Sequence, residues 1–277
     1  MNLGYNTNGF ADHETADALA ILREIGYRSV ALTLERRHLN PPQLCAVPDC
    51  LASLKPLLQA SAWHVTIETG SRYILDPRRK HQPTLLSAKV DERRRRLAFL
   101  RAAIDVAAGL NAESVSLWSG ARDDNATDHE CFHRLVAGLT ELLEYAHERD
   151  MRVSFEPEPG MLIDTMARFE DLFDAVGHER LGLTLDVGHV HCLGDGDVGD
   201  HIRRWRDRLW NVHIEDMLPG VHEHLRFGKG DMDFHPIFAA LREIDYRGPL
   251  HVELPRQSHN AVAVAQDAFA YLAPFLC

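Results

Sequence analysis

Four short segments of the chain end in side chains that can bind a metal ion. They cover residues 154–158, 183–189, 211–216 and 250–255. Each is an apolar run of strand length that stops at a carboxylate or an imidazole. About thirty to forty residues separate neighbouring segments, a spacing typical of strand–helix units that each deliver one ligand to a common rim. This pattern predicts a metal site built from the ends of successive strands.

The predicted ligands are three carboxylates and one imidazole, namely Glu156, Asp186, His213 and Glu253. Such an oxygen-rich set suits a hard or borderline divalent ion better than a structural zinc. Taken singly, each residue is more simply explained as a surface charge at the end of a strand. Together, the carboxylates would repel one another strongly unless a cation neutralised them. We therefore predict one divalent ion, with Mn²⁺ as the first choice and Mg²⁺, Co²⁺ or Zn²⁺ as alternatives.

The composition limits the classes of partner and the cellular location that we expect for the protein. With 41 acidic residues against 30 basic ones, the formal net charge of −11 disfavours nucleic acid and anionic membranes as partners. The N-terminus lacks a signal-like apolar segment, and nowhere do about 18 apolar residues run together. We therefore expect a cytoplasmic protein with no membrane or nucleic-acid partner. The cysteines lack a CxxC pair and are expected to be reduced thiols: Cys45, Cys50, Cys131, Cys192 and Cys277.

Eight strand-like runs alternate with segments whose apolar residues recur at helical spacing. The runs are residues 3–5, 29–34, 63–69, 114–118, 152–156, 181–186, 210–214 and 250–253. This alternation favours a single (β/α)8 TIM barrel domain over residues 1–277, with an open doubly wound sheet as the alternative. In a barrel the ends of the last four strands surround one mouth, whereas an open sheet would string them along a line. A shared metal site therefore favours closure.

Five short motifs carry a resemblance to a known family. They are Phe-Glu-Pro at 155–157, Asp-Val-Gly-His at 186–189, Val-His-Ile-Glu-Asp at 212–216, Phe-Gly-Lys-Gly-Asp-Met-Asp-Phe at 227–234 and Val-Glu at 252–253. Over essentially its whole length the chain resembles the sugar phosphate isomerase/epimerase family of xylose isomerase-like barrels. That family is related to the D-tagatose and D-psicose 3-epimerases and, more distantly, to endonuclease IV.

The resemblance implies an enzyme whose metal is held at Glu156, Asp186, His213 and Glu253. It also implies that Glu156 and Glu253 transfer protons on opposite faces of a ketose. A metal that bridges a carbonyl and the neighbouring hydroxyl stabilises the enediolate formed when the adjacent C–H loses its proton. Protonation on the opposite face inverts the carbon, and protonation of the neighbouring carbon gives the aldose–ketose isomer. The expected function is therefore a metal-dependent isomerase or epimerase of a small ketose or cyclitol ketone.

Side chains around the predicted barrel mouth are candidates for binding a polyhydroxylated substrate. The resemblance implies that His189 contacts substrate hydroxyls, and Glu158 is close enough to Glu156 to point into the same mouth. The long loop after the third strand is predicted to be a lid, with a solvated loop as the alternative. It carries three further candidates: Arg72, Lys80 and His81. Trp118, at the end of the fourth strand, is expected either to stack on a sugar or to pack in the barrel.

The loop after the seventh strand departs from the family pattern. The epimerases place an arginine shortly after the metal histidine, whereas this chain has Pro-Gly-Val-His-Glu-His-Leu-Arg at 219–226. His222 and His224 alternate, so that on an extended segment both face one side. We predict that His222, His224 and Arg226 bind substrate. A second metal is an alternative, because endonuclease IV has an Asp-x-His ligand pair in this neighbourhood.

Other functions remain open on the sequence alone. A dehydratase or lyase would form the same enediolate and then expel a β-hydroxyl or an aglycone. An endonuclease IV-like zinc phosphodiesterase needs further histidines at strand ends, but the third and fourth strands end on Glu68-Thr69 and Trp118-Ser119. A non-catalytic sugar-binding barrel is disfavoured by the complete ligand set. No motif specifies the oligomeric state, although pairing into homo-oligomers is common in the family.

Overall fold

Ten strands are present in the computed structural model, which describes residues 1–35, 47–60 and 62–276. In chain order they are β1 (Asn2–Asn6), β2 (Ser29–Thr33), β3 (His64–Glu68), β4 (Ser114–Leu117), β5 (Val153–Phe155), β6 (Leu181–Asp186), β7 (Leu209–Ile214), β8 (Asp216–Leu218), β9 (Val221–Leu225) and β10 (Pro249–Val252). Eight of them form a closed parallel barrel in which β1 pairs with both β2 and β10. The predicted (β/α)8 barrel is confirmed, and its closure excludes an open sheet.

Helices separate the barrel strands and end at residues suited to those positions. In chain order they are α1 (Thr15–Ile25), α2 (Val47–Ala60), α3 (Val90–Leu110), α4 (Asp128–His147), α5 (Met166–Val176), α6 (Val187–Leu193), α7 (Val198–Arg204), α8 (Phe234–Glu243) and α9 (Ala261–Leu272). Helix α4 begins with a capping box, in which Thr127 and Glu130 satisfy each other's backbone N–H groups. Helix α5 is capped at its C-terminus by Gly177, whose φ of +58° lies in the left-handed region that glycine adopts readily.

The predicted bounds of the eight barrel strands lie within one residue of the observed ones. The loop after β7 is different, because it contains the antiparallel hairpin β8–β9, which the sequence pattern did not assign. Asp216 lies opposite Leu225, and Leu218 lies opposite Val221. Gly220 occupies the turn with a φ of +72°. The hairpin therefore holds His222 and His224 on a strand instead of a loop.

Strand register brings the predicted ligands to the same end of the barrel. Asp186 is in register with His213 on the neighbouring strand. Val252, the last residue of β10, is in register with Ile214, so that Glu253 follows directly after the strand. Side chains of the barrel strands are almost all buried, as expected where helices cover the outside and side chains fill the interior. A packed barrel thus fixes the level at which each ligand leaves its strand.

Two of the compositional predictions can be compared with the structure. Within the described ranges, no helix is both long enough and apolar enough to cross a membrane. Cys131 and Cys192 are buried free cysteines. The side chains of Cys45, Cys50 and Cys277 lie outside those that the structure describes.

Candidate metal centre

The four predicted ligands come together at one end of the barrel. Glu156 follows β5, Asp186 ends β6, His213 lies on β7 and Glu253 follows β10. One ligand atom from each lies within 4.8 Å of those from all the others. Glu156, Asp186 and His213 are buried, and the side chain of Glu253 is 14% exposed. Separate strands therefore supply a compact set of three carboxylates around one imidazole.

His213 is held so that its two ring nitrogens face different groups. Its Nε2 lies 3.0 Å from Glu68 Oε1, and its Nδ1 lies 3.0 Å from Glu156 Oε1 and 2.9 Å from Glu253 Oε2. If Nε2–H donates to Glu68, Nδ1 presents a lone pair towards two carboxylates, which is favourable only with a proton or a metal ion between them. Burial opposes the charged imidazole, but Glu253 and Glu156 together raise the pKa of His213 well above its usual value.

Opposing influences act on the pKa values of the carboxylates. Burial raises the pKa of Glu156 well above its usual value. Burial acts in the same direction on Glu253, but His213 outweighs it and lowers the pKa of that carboxyl. Asn8 Nδ2 also donates to Glu253 Oε1 at 2.7 Å and so favours the ionised form. The two proposed proton carriers thus lie in unequal environments.

The donor set fits a divalent cation. Asp186 Oδ1 accepts the His189 backbone N–H at 2.9 Å, whereas its buried Oδ2 has no hydrogen-bond partner among the described residues. Burial disfavours the ionised carboxylate, yet His189 and His224 lower the pKa of Asp186 below its usual value. An ionised oxygen without a partner, next to two further carboxylates and an imidazole, is a costly arrangement that a bound cation relieves.

A hydrogen-bonded network in the barrel interior supports His213 on the side away from the cavity. Asn211 Nδ2 donates to Glu68 Oε1 at 3.2 Å, and Asn211 Oδ1 lies 2.8 Å from His251 Nδ1. The other ring nitrogen of His251 lies 2.8 Å from Ser29 Oγ. Burial lowers the pKa of His251 well below its usual value, so that it is neutral. The sequence pattern did not predict that Glu68 supports His213, although the position of Glu68 at the end of β3 was a usable signal.

A cavity of about 150 Å³ opens above the ligands. Eight of the predicted substrate-binding residues line it: Arg72, Lys80, His81, Trp118, Glu158, His189, His222 and His224. Eight lining residues were not among the predicted ligands or substrate-binding residues: Asn6, Asn8, Thr33, Glu35, Glu68, Gly70, Pro255 and Arg256. Most of these lie at or shortly after the ends of β1, β2 or β10, where the sequence pattern assigned only Glu253 as a metal ligand. The barrel thus adds polar groups to the cavity from strand-end positions that the sequence pattern did not assign to the site.

Arg226 is a correction to the predicted substrate site. Its guanidinium forms an ion pair with Asp267 on α9 and does not line the cavity. The cause is the hairpin, because β9 ends at Leu225 and Arg226 follows it outside the paired strand. Arg256, which follows β10, lines the cavity instead and pairs with Glu223 at 3.1 Å.

The wall of the cavity opposite the hairpin is aromatic and cationic. The rings of His81 and Trp118 meet edge to face with centroids 5.0 Å apart, and the guanidinium of Arg96 lies 4.9 Å from the Trp118 ring. Trp118 is only 5% exposed, so it both packs in the barrel and forms part of the wall. Burial, with a contribution from Lys80, lowers the pKa of His81 to about 4. Arg72 contacts Glu35 at 3.4 Å across the same wall.

A carboxyl and three histidines complete the cavity. Burial, followed by repulsion from Glu253, raises the pKa of Glu158 to about 7. Burial lowers the pKa of His189 to about 4. Burial also opposes the charged form of His224, but Glu215 raises its pKa to about 10. His222 lies at the rim with its Nε2 only 3.1 Å from His189 Nε2. These groups offer acids, bases and hydrogen-bond donors within reach of the metal ligands.

Comparisons with known proteins place this geometry in a family. The D-allulose 3-epimerase of Methylomonas sp. superposes with a TM-score of 0.79 at 21% identity, covering 99% of this chain and 98% of that chain. The crystal structure of the IOLI protein, which contains a bound zinc atom, superposes with a TM-score of 0.78 at 17% identity over 100% and 98% of the two chains. At these identities the likeness concerns the fold.

The inosose dehydratase of Clostridium botulinum (strain Eklund 17B / Type B) is 27% identical over an alignment of 143 residues, and the match covers 46% of this chain. The matched segment spans 48% of that relative, so the chain spans about half the length of the curated relatives it matches. A family model described as xylose isomerase-like TIM barrel matches residues 19–275. The chain therefore belongs to the xylose isomerase-like TIM barrel family.

Proposed function

We propose that this protein is a divalent-metal-dependent isomerase or epimerase of a small ketose or cyclitol ketone. The observation that carries the proposal is the set of Glu156, Asp186, His213 and Glu253, whose ligand atoms converge within 4.8 Å at the base of a polar cavity. Such a set combines a site for a cation with carboxylates that can exchange protons with a substrate. The cavity is polar and small, as a polyhydroxylated carbonyl compound requires.

In this proposal Glu156, Asp186, His213 and Glu253 hold the metal. The bound cation would stabilise the negative charge that develops on the substrate oxygens when the neighbouring C–H loses its proton. Glu68 keeps His213 oriented through the Nε2 contact at 3.0 Å. Asn8 fixes Glu253 through Oε1 and leaves Oε2 facing His213.

Glu156 and Glu253 would carry the proton. Both approach His213 Nδ1, at 3.0 and 2.9 Å, but they follow β5 and β10 on different sides of the barrel mouth. One carboxylate removes the proton next to the carbonyl, and the other returns a proton to the resulting enediolate. Return to the opposite face of the same carbon is epimerisation, and return to the neighbouring carbon is isomerisation.

The remaining wall would orient the substrate and exclude water. His189 and Glu158 lie beside the ligands and can hydrogen-bond hydroxyl groups. Trp118 offers an aromatic surface for the apolar face of a ring. Arg72, Lys80 and His81 come from the long loop after β3, which lies along the cavity as a lid would.

A dehydratase is the second candidate, and Glu158 is the observation that favours it. Its pKa of about 7 keeps a proton available near neutral pH, because burial and repulsion from Glu253 disfavour the ionised form. After proton abstraction, a β-hydroxyl that takes this proton leaves as water. The inosose dehydratases among the relatives agree with this fate, although they match only about half of their own length.

Hydrogen–deuterium exchange tests the proposal directly. Wild-type protein loaded with Mn²⁺ is incubated in D₂O with a panel of ketoses and inososes, and deuterium next to the carbonyl is measured by NMR. We expect exchange with at least one compound and a loss of about 100-fold or more in Glu253→Gln. Glu243→Gln, on the exposed outer helix α8, is the matched control and should exchange like the wild type.

The outcomes separate the candidates. Exchange with an epimeric or isomeric product supports the first, whereas a product lighter by one water supports the dehydratase. A metal-loaded protein that exchanges no hydrogen with any compound on the panel would overturn both. Three zinc ions per chain together with cleavage of abasic DNA would instead support the endonuclease IV-like alternative.

The identity of the metal, the cellular location, the oligomeric state and the domain organisation belong to the same proposal. We favour Mn²⁺ because three of the four ligands are carboxylates. A cytoplasmic location agrees with the buried free thiols of Cys131 and Cys192. A homo-oligomer and a single domain over residues 1–277 are likewise proposed, and sedimentation with limited proteolysis would test both.

A further inference from the structure

We propose a peripheral metal site on the outside of the barrel, formed by His129 and His133 and suited to Ni²⁺ or Cu²⁺. Both side chains are exposed and lie in the first two turns of α4. Their Nε2 atoms lie 3.0 Å apart, and the two rings meet edge to face with centroids 4.3 Å apart. Neither histidine lines the cavity at the barrel mouth. The site therefore does not depend on the proposed reaction.

The spacing of the two histidines places both rings on the same face of α4. They begin and end the segment His-Glu-Cys-Phe-His at 129–133, and residues four apart are neighbours on a helix surface. Cys131 between them is buried, so the pair points towards solvent. A cation that binds one ring therefore meets the second ring already in place. This intramolecular contact raises the affinity above that of two separate histidines.

The distance between the two nitrogens indicates which cations the pair can hold. Two imidazole nitrogens bound at about 2.0–2.1 Å to one ion lie about 2.9 Å apart at a right angle and about 3.3 Å apart at the tetrahedral angle. The observed distance of 3.0 Å is close to the right-angled arrangement. Such angles are usual for Cu²⁺ and Ni²⁺, and imidazole is a favourable ligand for both ions. Zn²⁺ would need the rings to move slightly apart.

A hydrogen bond between the two rings is the alternative explanation of the contact. If one Nε2 carries a proton, it donates to the other at an ordinary distance of 3.0 Å. Such a bond contributes little on an exposed surface, because water can replace either partner. When each ring carries its proton on Nδ1 instead, both Nε2 lone pairs are free for one cation. Binding of the cation then exchanges one weak contact for two metal–nitrogen bonds.

The site is suited to binding and not to hydrolysis. In zinc peptidases a helix with the pattern His-Glu-x-x-His supplies two ligands, and its glutamate is the general base. Here Glu130 Oε2 accepts the backbone N–H of Thr127 at 2.7 Å and its hydroxyl group at 2.9 Å, so Glu130 caps the helix instead. Among the described residues, no third histidine, cysteine or carboxylate completes a group with the pair within 4.8 Å. Water would therefore fill the remaining coordination positions.

The charges next to the pair nearly cancel. The N-terminal end of a helix carries a partial positive charge, which opposes a cation bound in its first turns. Asp128 and Glu130 place two carboxylates in the first turn of α4 and offset this charge. Asp128 is also paired with Arg122 at 2.9 Å, which removes part of that offset. The affinity thus comes mainly from the two nitrogens, and loss of either one should abolish it.

Retention on immobilised Ni²⁺ tests the site without relying on activity. Untagged protein already loaded with Mn²⁺ is bound to the resin and eluted with an imidazole gradient, because an immobilised ion reaches only exposed histidines. His129→Ala and His133→Ala should each elute much earlier than the wild type. Isothermal titration with Ni²⁺ in solution should show binding at this site weakened by about 100-fold. The double variant should behave like either single variant, because the two nitrogens act as one chelate.

A relocated histidine provides the matched control. His133→Ala/Ala137→His keeps two exposed histidines on α4 but places them about 12 Å apart along the helix. It should elute like His133→Ala. His147→Ala removes an exposed histidine at the other end of α4, which pairs with Glu179 at 3.1 Å, and should elute like the wild type. Circular dichroism confirms that each variant is folded.

Two results would overturn the proposal. One is a wild type that elutes together with His133→Ala and binds no more Ni²⁺ than that variant. The other is a relocated variant that elutes with the wild type, because retention would then reflect separate histidines. Deuterium exchange at the barrel mouth should be the same in the wild type and in His129→Ala/His133→Ala. Failure of this site and failure of the proposed function are therefore distinguishable.

Discussion

At the scale of single residues, His213 shows how a buried imidazole is prepared for a metal. Its Nε2 contacts Glu68 and its Nδ1 faces Glu156 and Glu253. The Nε2 contact thus orients the ring, and Nδ1 is directed towards the other candidate ligands. His189 repeats this division, with Nδ1 towards the Pro157 carbonyl and Nε2 towards the cavity. The sequence predicts which side chains have ligand chemistry, but the choice of nitrogen depends on neighbours that are distant in the chain.

Glu68→Gln is expected to weaken binding of the first metal by about 10-fold, with little change in fold. The amide still accepts the Nε2–H of His213 but lacks the charge that makes the imidazole a stronger ligand. Isothermal titration with Mn²⁺ measures the affinity. Glu113→Gln is the matched control, because Glu113 contacts the ring of His64 at 2.5 Å at the opposite end of β3. Equal affinities in both variants and the wild type would contradict a supporting role for Glu68.

At the scale of elements, strand ends and one hairpin build the site. Alternating apolar runs and helical periodicity were enough to predict the barrel strands, because each strand is buried and each has a clear boundary. The β8–β9 hairpin was not predicted, since its strands are only three and five residues long, although Pro219-Gly220 between them is a recognised turn signal. That omission caused the error for Arg226, which leaves the hairpin and pairs with Asp267.

Gly4→Ala is expected to destabilise the barrel by about 1–3 kcal/mol. A methyl group at this position of β1 would come within 2.4 Å of His251 Cδ2 and 2.7 Å of the Ser29 carbonyl oxygen, and the backbone of β2 cannot move aside cheaply. Urea denaturation measures the change.

Gly138→Ala on α4 is the control for Gly4→Ala. Its methyl group would meet only the side chain of Leu85 at 3.0 Å, and alanine favours the helix. A Gly4→Ala protein as stable as this control would show that β1 has more room than the structure indicates.

At the scale of the whole molecule, closure of the barrel concentrates negative charge at one mouth. Glu68, Glu156 and Asp186 are buried there, and the net charge of −11 adds to their repulsion. The family's fold places variable loops around this mouth, so we expect the loop after β3 and the hairpin after β7 to determine which substrate fits. The candidate metal site and the loops around it thus lie at the same mouth of the barrel.

Metal removal is expected to lower the melting temperature by about 5–10 °C at neutral pH. A site held near 100 times its dissociation constant contributes about 2.7 kcal/mol to the free energy of unfolding, and a domain of this size shifts by about 2–4 °C per kcal/mol. Calorimetry with and without EDTA measures the difference. In His213→Ala the two melting temperatures should coincide. An EDTA-insensitive wild type that contained Mn²⁺ beforehand would contradict a metal at this mouth.

The sequence by itself determined the barrel, and it predicted the four candidate metal ligands and the class of chemistry that they suit. These follow from local information, because burial periodicity and the residue at each strand end are both written in short segments. Only the tertiary structure decided the support of His213 by Glu68, the place of Arg226 outside the cavity and the meeting of His189 with His222 and His224. Each of these depends on contacts between residues far apart in the chain, whose geometry is set by strand register and hairpin pairing.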